Sequence, residues 1–238
     1  MASRRKLGGF AALVWGMLLA GVAAPASAQV AGDLTLQSDY RLRGHSLSGG
    51  EPALTLNLAY DHSSGVYLNG AATGAVRHGD PSLIGLTANL GYAYRVAPEV
   101  SVDGGVVWSE YRDRFHAGDR YDYTEVYAGF YSRRLSSHLY YSPNYYPGFE
   151  TLYGEIDGAV ETVAKVRLSA HVGILSYLAT PDGSYEPEDE YDWRVAASRR
   201  FGLIDLRAAL SGGGPGPDYY DYEAHDRAAL VFSGSWSF

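Results

Sequence analysis

Beyond residue 33, apolar side chains recur at every second position, the period of a strand with two unlike faces. Leu34, Leu36, Tyr40 and Leu42 fall opposite Thr35, Gln37, Asp39, Arg41 and Arg43. Leu54, Leu56, Leu58 and Tyr60 oppose Thr55, Asn57 and Asp61, and Val66, Leu68, Ala72 and Val76 oppose Tyr67, Asn69, Thr73 and Arg77. Next come Ile84, Leu86, Leu90, Tyr92 and Tyr94 against Thr87, Asn89 and Arg95, then Val100, Val102, Val106 and Trp108 against Ser101, Asp103 and Ser109. Val126, Ala128 and Phe130 oppose Glu125, Tyr127 and Tyr131; Leu135, Leu139 and Tyr141 oppose His138, Tyr140 and Asn144. Leu152, Ile156 and Val160 oppose Glu155, Asp157 and Glu161; Val166, Leu168, Val172 and Ile174 oppose Arg167, Ser169 and His171. Tyr191, Trp193, Val195 and Ala197 oppose Asp192, Arg194 and Ser198, and Ile204, Leu206 and Leu210 oppose Asp205, Arg207 and Ser211. Leu230, Phe232, Trp236 and Phe238 close the series against Arg227, Ser233, Ser235 and Ser237. These are about twelve segments of roughly 9–13 residues, the length of tilted membrane-spanning strands.

The connections alternate as well. Short ones fall at DHSSG, YRVAPE, SRRLSS, ETVAK and SRRFG. Longer ones fall at GHSLSGGE, VRHGDPS, EYRDRFHAGDRY, SPNYYPGFE, LATPDGSYEPEDEY and SGGGPGPDYYDYEAHD. Short turns on one rim and longer loops on the other predict an all-β, antiparallel, up-and-down transmembrane barrel, with both termini on the short-turn rim. A soluble β-sandwich or lipocalin-like barrel is the competing architecture, because it shows the same alternation with its faces exchanged. Small residues on the apolar face (Gly70, Ala72, Gly74, Ala88, Gly104) would fill a soluble core poorly. Aromatic residues near strand ends suit interfacial girdles: Tyr40, Trp108, Tyr191 and Trp193 at the long-loop side, and Tyr60, Tyr92, Tyr94, Trp236 and Phe238 at the other.

The first 28 residues read differently. Arg4, Arg5 and Lys6 precede an apolar run that ends at Ala26 and Ala28, the pattern of a cleaved signal peptide. Residues 1–28 are thus expected to be a signal peptide and residues 29–238 the outer-membrane barrel. Losing those three cations leaves 16 basic against 27 acidic side chains, a balance unsuited to nucleic acid. With no cysteine, a disulfide framework and a Cys metal site are both excluded.

The opening stretch SDYRLRG-SLS---PAL, continued by YDHSSGVYLNG, resembles the start of the TorF-type porin family, conserved proteobacterial outer-membrane β-barrel proteins. The matching residues are Ser38, Asp39, Tyr40, Arg43, Gly44, Ser46, Ser48, Pro52, Ala53, Tyr60, His62, Ser64, Gly65 and Tyr67. DYTEVYAGF and LYYSPNYY look similar too. His45 stands where that family varies, so no role passes to it. The resemblance implies an outer-membrane channel without an established substrate. ALVFSGSWSF also looks like the terminal-strand signal read by the barrel-assembly machinery, with Phe232, Trp236 and Phe238 as its apolar positions.

The candidate lumen lining is Asp39, Arg41, Arg43, Asp61, Arg77, Arg95, Asp103, Glu125, Glu155, Asp157, Arg167, Asp192, Arg194, Asp205, Arg207 and Arg227. Rows of Arg and acid facing each other across a lumen would favour small polar or charged solutes. If they paired instead, they would plug the barrel. Ser184–Asp192 and Pro217–Asp226 are acidic and tyrosine-rich, which suits surface binding or simple solvation. His45 beside Ser46 and Ser48 is the one arrangement suggesting an outer-membrane hydrolase, but no Ser–His–acid spacing accompanies it. The expected function is a porin rather than an enzyme, with no cofactor and no metal. Its expected partners are outer-membrane lipid, the assembly machinery and small polar solutes.

Overall fold

A computed structural model describes residues 29–77, 80–112, 120–145, 148–179, 188–215 and 228–238. The proposed signal peptide, Arg227 and most of the two acidic loops lie outside the described residues, as does the side chain of Arg77. The strands are β1 (Gln29–Gln37), β2 (Arg41–Leu42), β3 (His45–Ser46), β4 (Ala53–Asp61), β5 (Val66–Arg77), β6 (Asp80–Ala97) and β7 (Val100–Arg112). They continue as β8 (Arg120–Ser132), β9 (Leu135–Tyr145), β10 (Phe149–Glu161), β11 (Val166–Ala179), β12 (Glu190–Phe201), β13 (Ile204–Gly214) and β14 (Ala228–Ser237).

Twelve of them close into an antiparallel barrel, β1 pairing with both β4 and β14; β2 and β3 form a separate two-stranded ribbon. Closure runs from Asp33 opposite Ser237 to Gln37 opposite Ser233. Backbone bonds between Gly32 and Phe238, at 3.1 and 2.9 Å, finish the seam. Among the described residues no barrel strand is left as an edge, the condition for crossing a bilayer with strands.

The faces are inverted relative to a water-soluble protein. Leu90 and Ile174 are each 57% exposed, while Thr73 and His138 are each 2% exposed on the inward face. Covering a leucine completely is worth about 1.5–3 kcal/mol, so an exterior carrying this many exposed Leu, Val and Ile side chains is unfavourable in water and suited to lipid. Tyr60, Tyr92, Tyr94, Trp236 and Phe238 stand exposed toward the short-turn rim; Trp108 and Tyr191 do so toward the other.

Three departures from the alternation have identifiable causes. Ile84, expected outside, is only 1% exposed and packs inward with Ala53, Ala75 and Tyr40. A bulge sets Leu83 opposite Gly74 and Gly85 opposite Thr73, leaving Ile84 as the extra residue, which turns inward. Asn144, expected in the lumen, is exposed, because Tyr145 pairs with Phe149 while Ser142 pairs with Thr151. That second bulge gives the inward place to Tyr145. VRHGDPS is no long loop: the β5–β6 ladder continues until Arg77 pairs with Asp80.

The largest departure concerns Tyr40 and Leu42, expected on lipid. Both pack inside the barrel against a buried cluster of Leu47, Tyr111 and Tyr123. Residues 38–52 therefore form an inward-folded insert, where an outer loop over Gly44–Glu51 was expected.

Candidate functional site

Local hydrogen bonding explains why the insert turns inward. The Asp39 carboxylate accepts from Ser46 Oγ, from Ser48 Oγ at 3.0 Å and from Arg41 Nη1 at 2.9 Å. Ser48 Oγ in turn accepts from the Tyr40 backbone N–H at 2.9 Å, and Leu47 N–H donates to Tyr40 O at 2.7 Å. These bonds pair the Asp39 carboxylate, both serine hydroxyls and the Arg41 guanidinium as the segment leaves water; Arg43 Nη1 is buried without a hydrogen bond. Between β2 and β3 the chain reverses at Arg43 (φ 47°) and Gly44 (φ 82°), the two left-handed positions of a type I′ hairpin turn. A Cβ on Gly44 would stand 2.9 Å from Gly212 O and Gly213 Cα, so glycine lets the tip rest directly on the β13 backbone.

The tip reaches across the lumen. Arg43 Nη2 donates to Glu125 Oε1 at 2.6 Å, and both side chains are buried. The guanidinium carbon lies 4.0 Å from the ring centre of Tyr153 and 5.3 Å from that of Tyr145, within cation–π reach of both. The Glu125 carboxylate is the countercharge of this buried guanidinium. His45 Nε2 meets Glu190 Oε2 at 3.0 Å. The insert thus ties β8, β9, β10, β12 and β13 together at the long-loop end. Ser46 and Ser48 spend their hydroxyls on Asp39 and His45 faces Glu190, so the histidine and serines that suggested a hydrolase form structural contacts.

A cavity of about 320 Å³ is lined by Asp39, Arg41 and Arg43 of the insert and by the barrel walls. Its two walls differ. Thr35, Thr55, Asn57, Asn69, Thr87, Asn89, Ser233 and Ser235 make one of hydroxyls and amides; Glu155, Asp157, His171, Asp192, Arg194, Asp205 and Arg207 make the other of charges. Apart from Arg43 and His45, which reach Glu125 and Glu190 from the insert, the charges pair along one wall, between strands that are adjacent or one strand apart. His138 lies 3.4 Å from Asp103 and 3.5 Å from Glu155. His171 lies 3.0 Å from Asp157 and 2.8 Å from Asp192, and Arg194 is 3.7 Å from Asp157. Tyr67 donates to Asp103 at 2.7 Å and also contacts Tyr127, which donates to Asn89 at 3.0 Å.

Of the sequence-derived candidates, Asp39, Arg41, Arg43, Glu125, Glu155, Asp157, Asp192, Arg194, Asp205 and Arg207 line this cavity. Asp103 is buried in the wall beside His138. Asp61 is half-buried at the end of β4; Arg95 and Arg167 are exposed near the short-turn rim. Phe232, Trp236 and Phe238 face outward on β14. The candidate lining left out His138, His171 and Tyr153, although their parity places all three inward beside Glu155 and Asp157. What the sequence does not give is that each histidine lies between two carboxylates, which depends on the strand register.

A family model described as "Bacterial protein of unknown function (Gcw_chp)" matches residues 21–211. No curated protein matches the sequence. Among solved structures, the NanC porin aligns with a TM-score of 0.54 at 9% identity, over 86% of this chain and 97% of that one. The KdgM porin aligns with a TM-score of 0.50 at 13% identity, over 87% and 99%. At such identities these likenesses concern the fold.

Proposed function

Because this chain belongs to the Gcw_chp family of bacterial proteins of unknown function, its activity has to be argued from geometry, and we propose that it is a bacterial outer-membrane porin. In this reading residues 1–28 are removed on export, and β14, ending in Phe232, Trp236 and Phe238, is the strand read by the assembly machinery. The barrel passes small polar or charged solutes by passive diffusion, and it is not an enzyme. The carrying observation is a closed twelve-stranded barrel, apolar outside and polar inside, that encloses a cavity of about 320 Å³. The TorF-type resemblance of Ser38–Tyr67 and the porin-like fold support the same reading.

The insert is the constriction in this scheme. Solutes pass between its underside and the amide and hydroxyl wall, so size selection resides in residues 38–52. Liposome swelling tests it: vesicles carrying the refolded barrel should swell in small neutral sugars, faster as sugar size falls. Swelling no faster than in protein-free vesicles would count against diffusion.

The insert's polar anchors also favour a second reading, a barrel held shut until they release. Its signature is swelling that appears only in Arg43→Asn, a substitution that keeps a residue suited to the left-handed turn while removing the contact with Glu125.

A further inference from the structure

The charged wall contains a set of donors that the transport reading does not need. Glu155 and Asp157 on β10 and His171 on β11 each offer a ligand atom, all within 4.8 Å of one another. Antiparallel pairing sets Asp157 directly opposite His171, and the period of two puts Glu155 on the same inward face. Each of the three lines the cavity.

The support around the imidazole is what distinguishes this group from a chance acidic cluster. His171 Nε2 bonds to Asp192 Oδ1 at 2.8 Å, and the other oxygen of Asp192 accepts from Tyr153 O–H at 2.9 Å. A carboxylate on Nε2 orients the ring and turns Nδ1 toward Asp157, 3.0 Å away, as carboxylates do behind metal-bound histidines. A Cβ on Gly173 would lie 2.2 Å from the Tyr153 hydroxyl and 2.5 Å from Asp192 Oδ2, so the arrangement depends on a glycine there. A second observation is independent of this one. The His138 side chain is 1% exposed, neither ring nitrogen forms a hydrogen bond, and Nδ1 points at Glu155 from 3.5 Å. Asp103 Oδ1 beyond it is likewise without a hydrogen bond. Glu155 thus stands between the proposed site and a buried imidazole that gives it no hydrogen bond.

We propose that Glu155, Asp157 and His171 Nδ1 bind one divalent transition-metal ion of the zinc type in the lumen wall. One imidazole with two carboxylates is a borderline-to-hard donor set that suits zinc. Bond lengths of about 2.0–2.2 Å require the donor atoms, now within 4.8 Å of one another, to draw together by side-chain rotation, and the cavity that all three line can supply a water as a further ligand. Binding displaces the proton on Nδ1 to solvent, so one proton is released per ion bound to the imidazolium form. The site stands or falls independently of whether the barrel conducts.

Calorimetric titration of the detergent-folded, tag-free barrel with zinc chloride tests this. One saturable equivalent is expected, lost in His171→Ala and weakened about 10–100-fold in Asp192→Asn. It should be kept in His62→Ala, which alters an exposed turn histidine and controls for surface binding. Should His171→Ala fail the heat-modifiable mobility check of folding, Asp157→Asn replaces it with the same expected loss. Cobalt should give visible ligand-field bands in the native barrel that vanish in the same variants. No saturable binding, or binding that survives both His171→Ala and Asp157→Asn, overturns the proposal.

Discussion

Removing the Arg43 guanidinium would leave the Glu125 carboxylate buried without its partner at 2.6 Å. Stranding one member of a buried pair costs about 3–5 kcal/mol. Arg43→Ala should therefore lower the midpoint of urea unfolding in detergent, read from tryptophan fluorescence, and Arg43→Ala with Glu125→Gln should regain much of the loss. A loss of the same size in single and double variants would place the cost in the turn instead. The outer face makes an opposite demand. At Leu90, exposed in mid-strand, an arginine should cost about 2–4 kcal/mol in a bilayer. At the neighbouring Asn89, which lines the cavity, it should cost clearly less. Equal costs in lipid vesicles would mean that the faces are wrongly assigned.

Strands set where these side chains go, and here the period of two was legible almost throughout. Leu54 to Asp61 and Tyr191 to Ser198 alternate in the structure as they do in the sequence. What escaped the pattern are places where one residue shifts the count. Nothing in LIGLTANL announces that Ile84 is a bulge, because the bulge is defined by what lies across the ladder at Thr73 and Gly74. Ser38–Pro52 escaped for another reason. Its alternation of Tyr40 and Leu42 with Asp39, Arg41 and Arg43 is that of a spanning strand, yet the polar members bond locally and to Glu125, and the apolar ones have an aromatic cluster to join. Hydrophobic period alone cannot distinguish lipid from the interior of the same barrel. Inter-strand fit is equally invisible along the chain. A Cβ on Gly129 would come within 2.1 Å of the His138 ring. Gly129→Ala should destabilise the barrel by about 1–3 kcal/mol, the usual cost of overpacking. The Ser137 carbonyl oxygen, 2.7 Å from the same Cβ, cannot move aside as a side chain could. A urea-unfolding midpoint in detergent unchanged from the parent would contradict this.

At the scale of the molecule, the apolar exterior, closed seam and polar interior belong together. The exterior is costly in water, closure leaves no barrel edge to pair in lipid, and the polar groups are kept to the inside. The last strand is the piece that completes this arrangement, with Phe238 bonded to Gly32 and its ring exposed beside Trp236. Deleting Phe238 should reduce the heat-modifiable, membrane-inserted fraction in cells while leaving refolding in detergent nearly unchanged. Loss of both would assign that residue to stability rather than to insertion.

The central claim is that the barrel conducts past its insert, and single-channel recording in planar bilayers tests it most directly. The folded chain should give discrete current steps of uniform size, and Arg43→Asn should give larger ones, because the insert loses its hold on Glu125. Silence from both proteins, each verified as a folded and inserted barrel, would contradict the account.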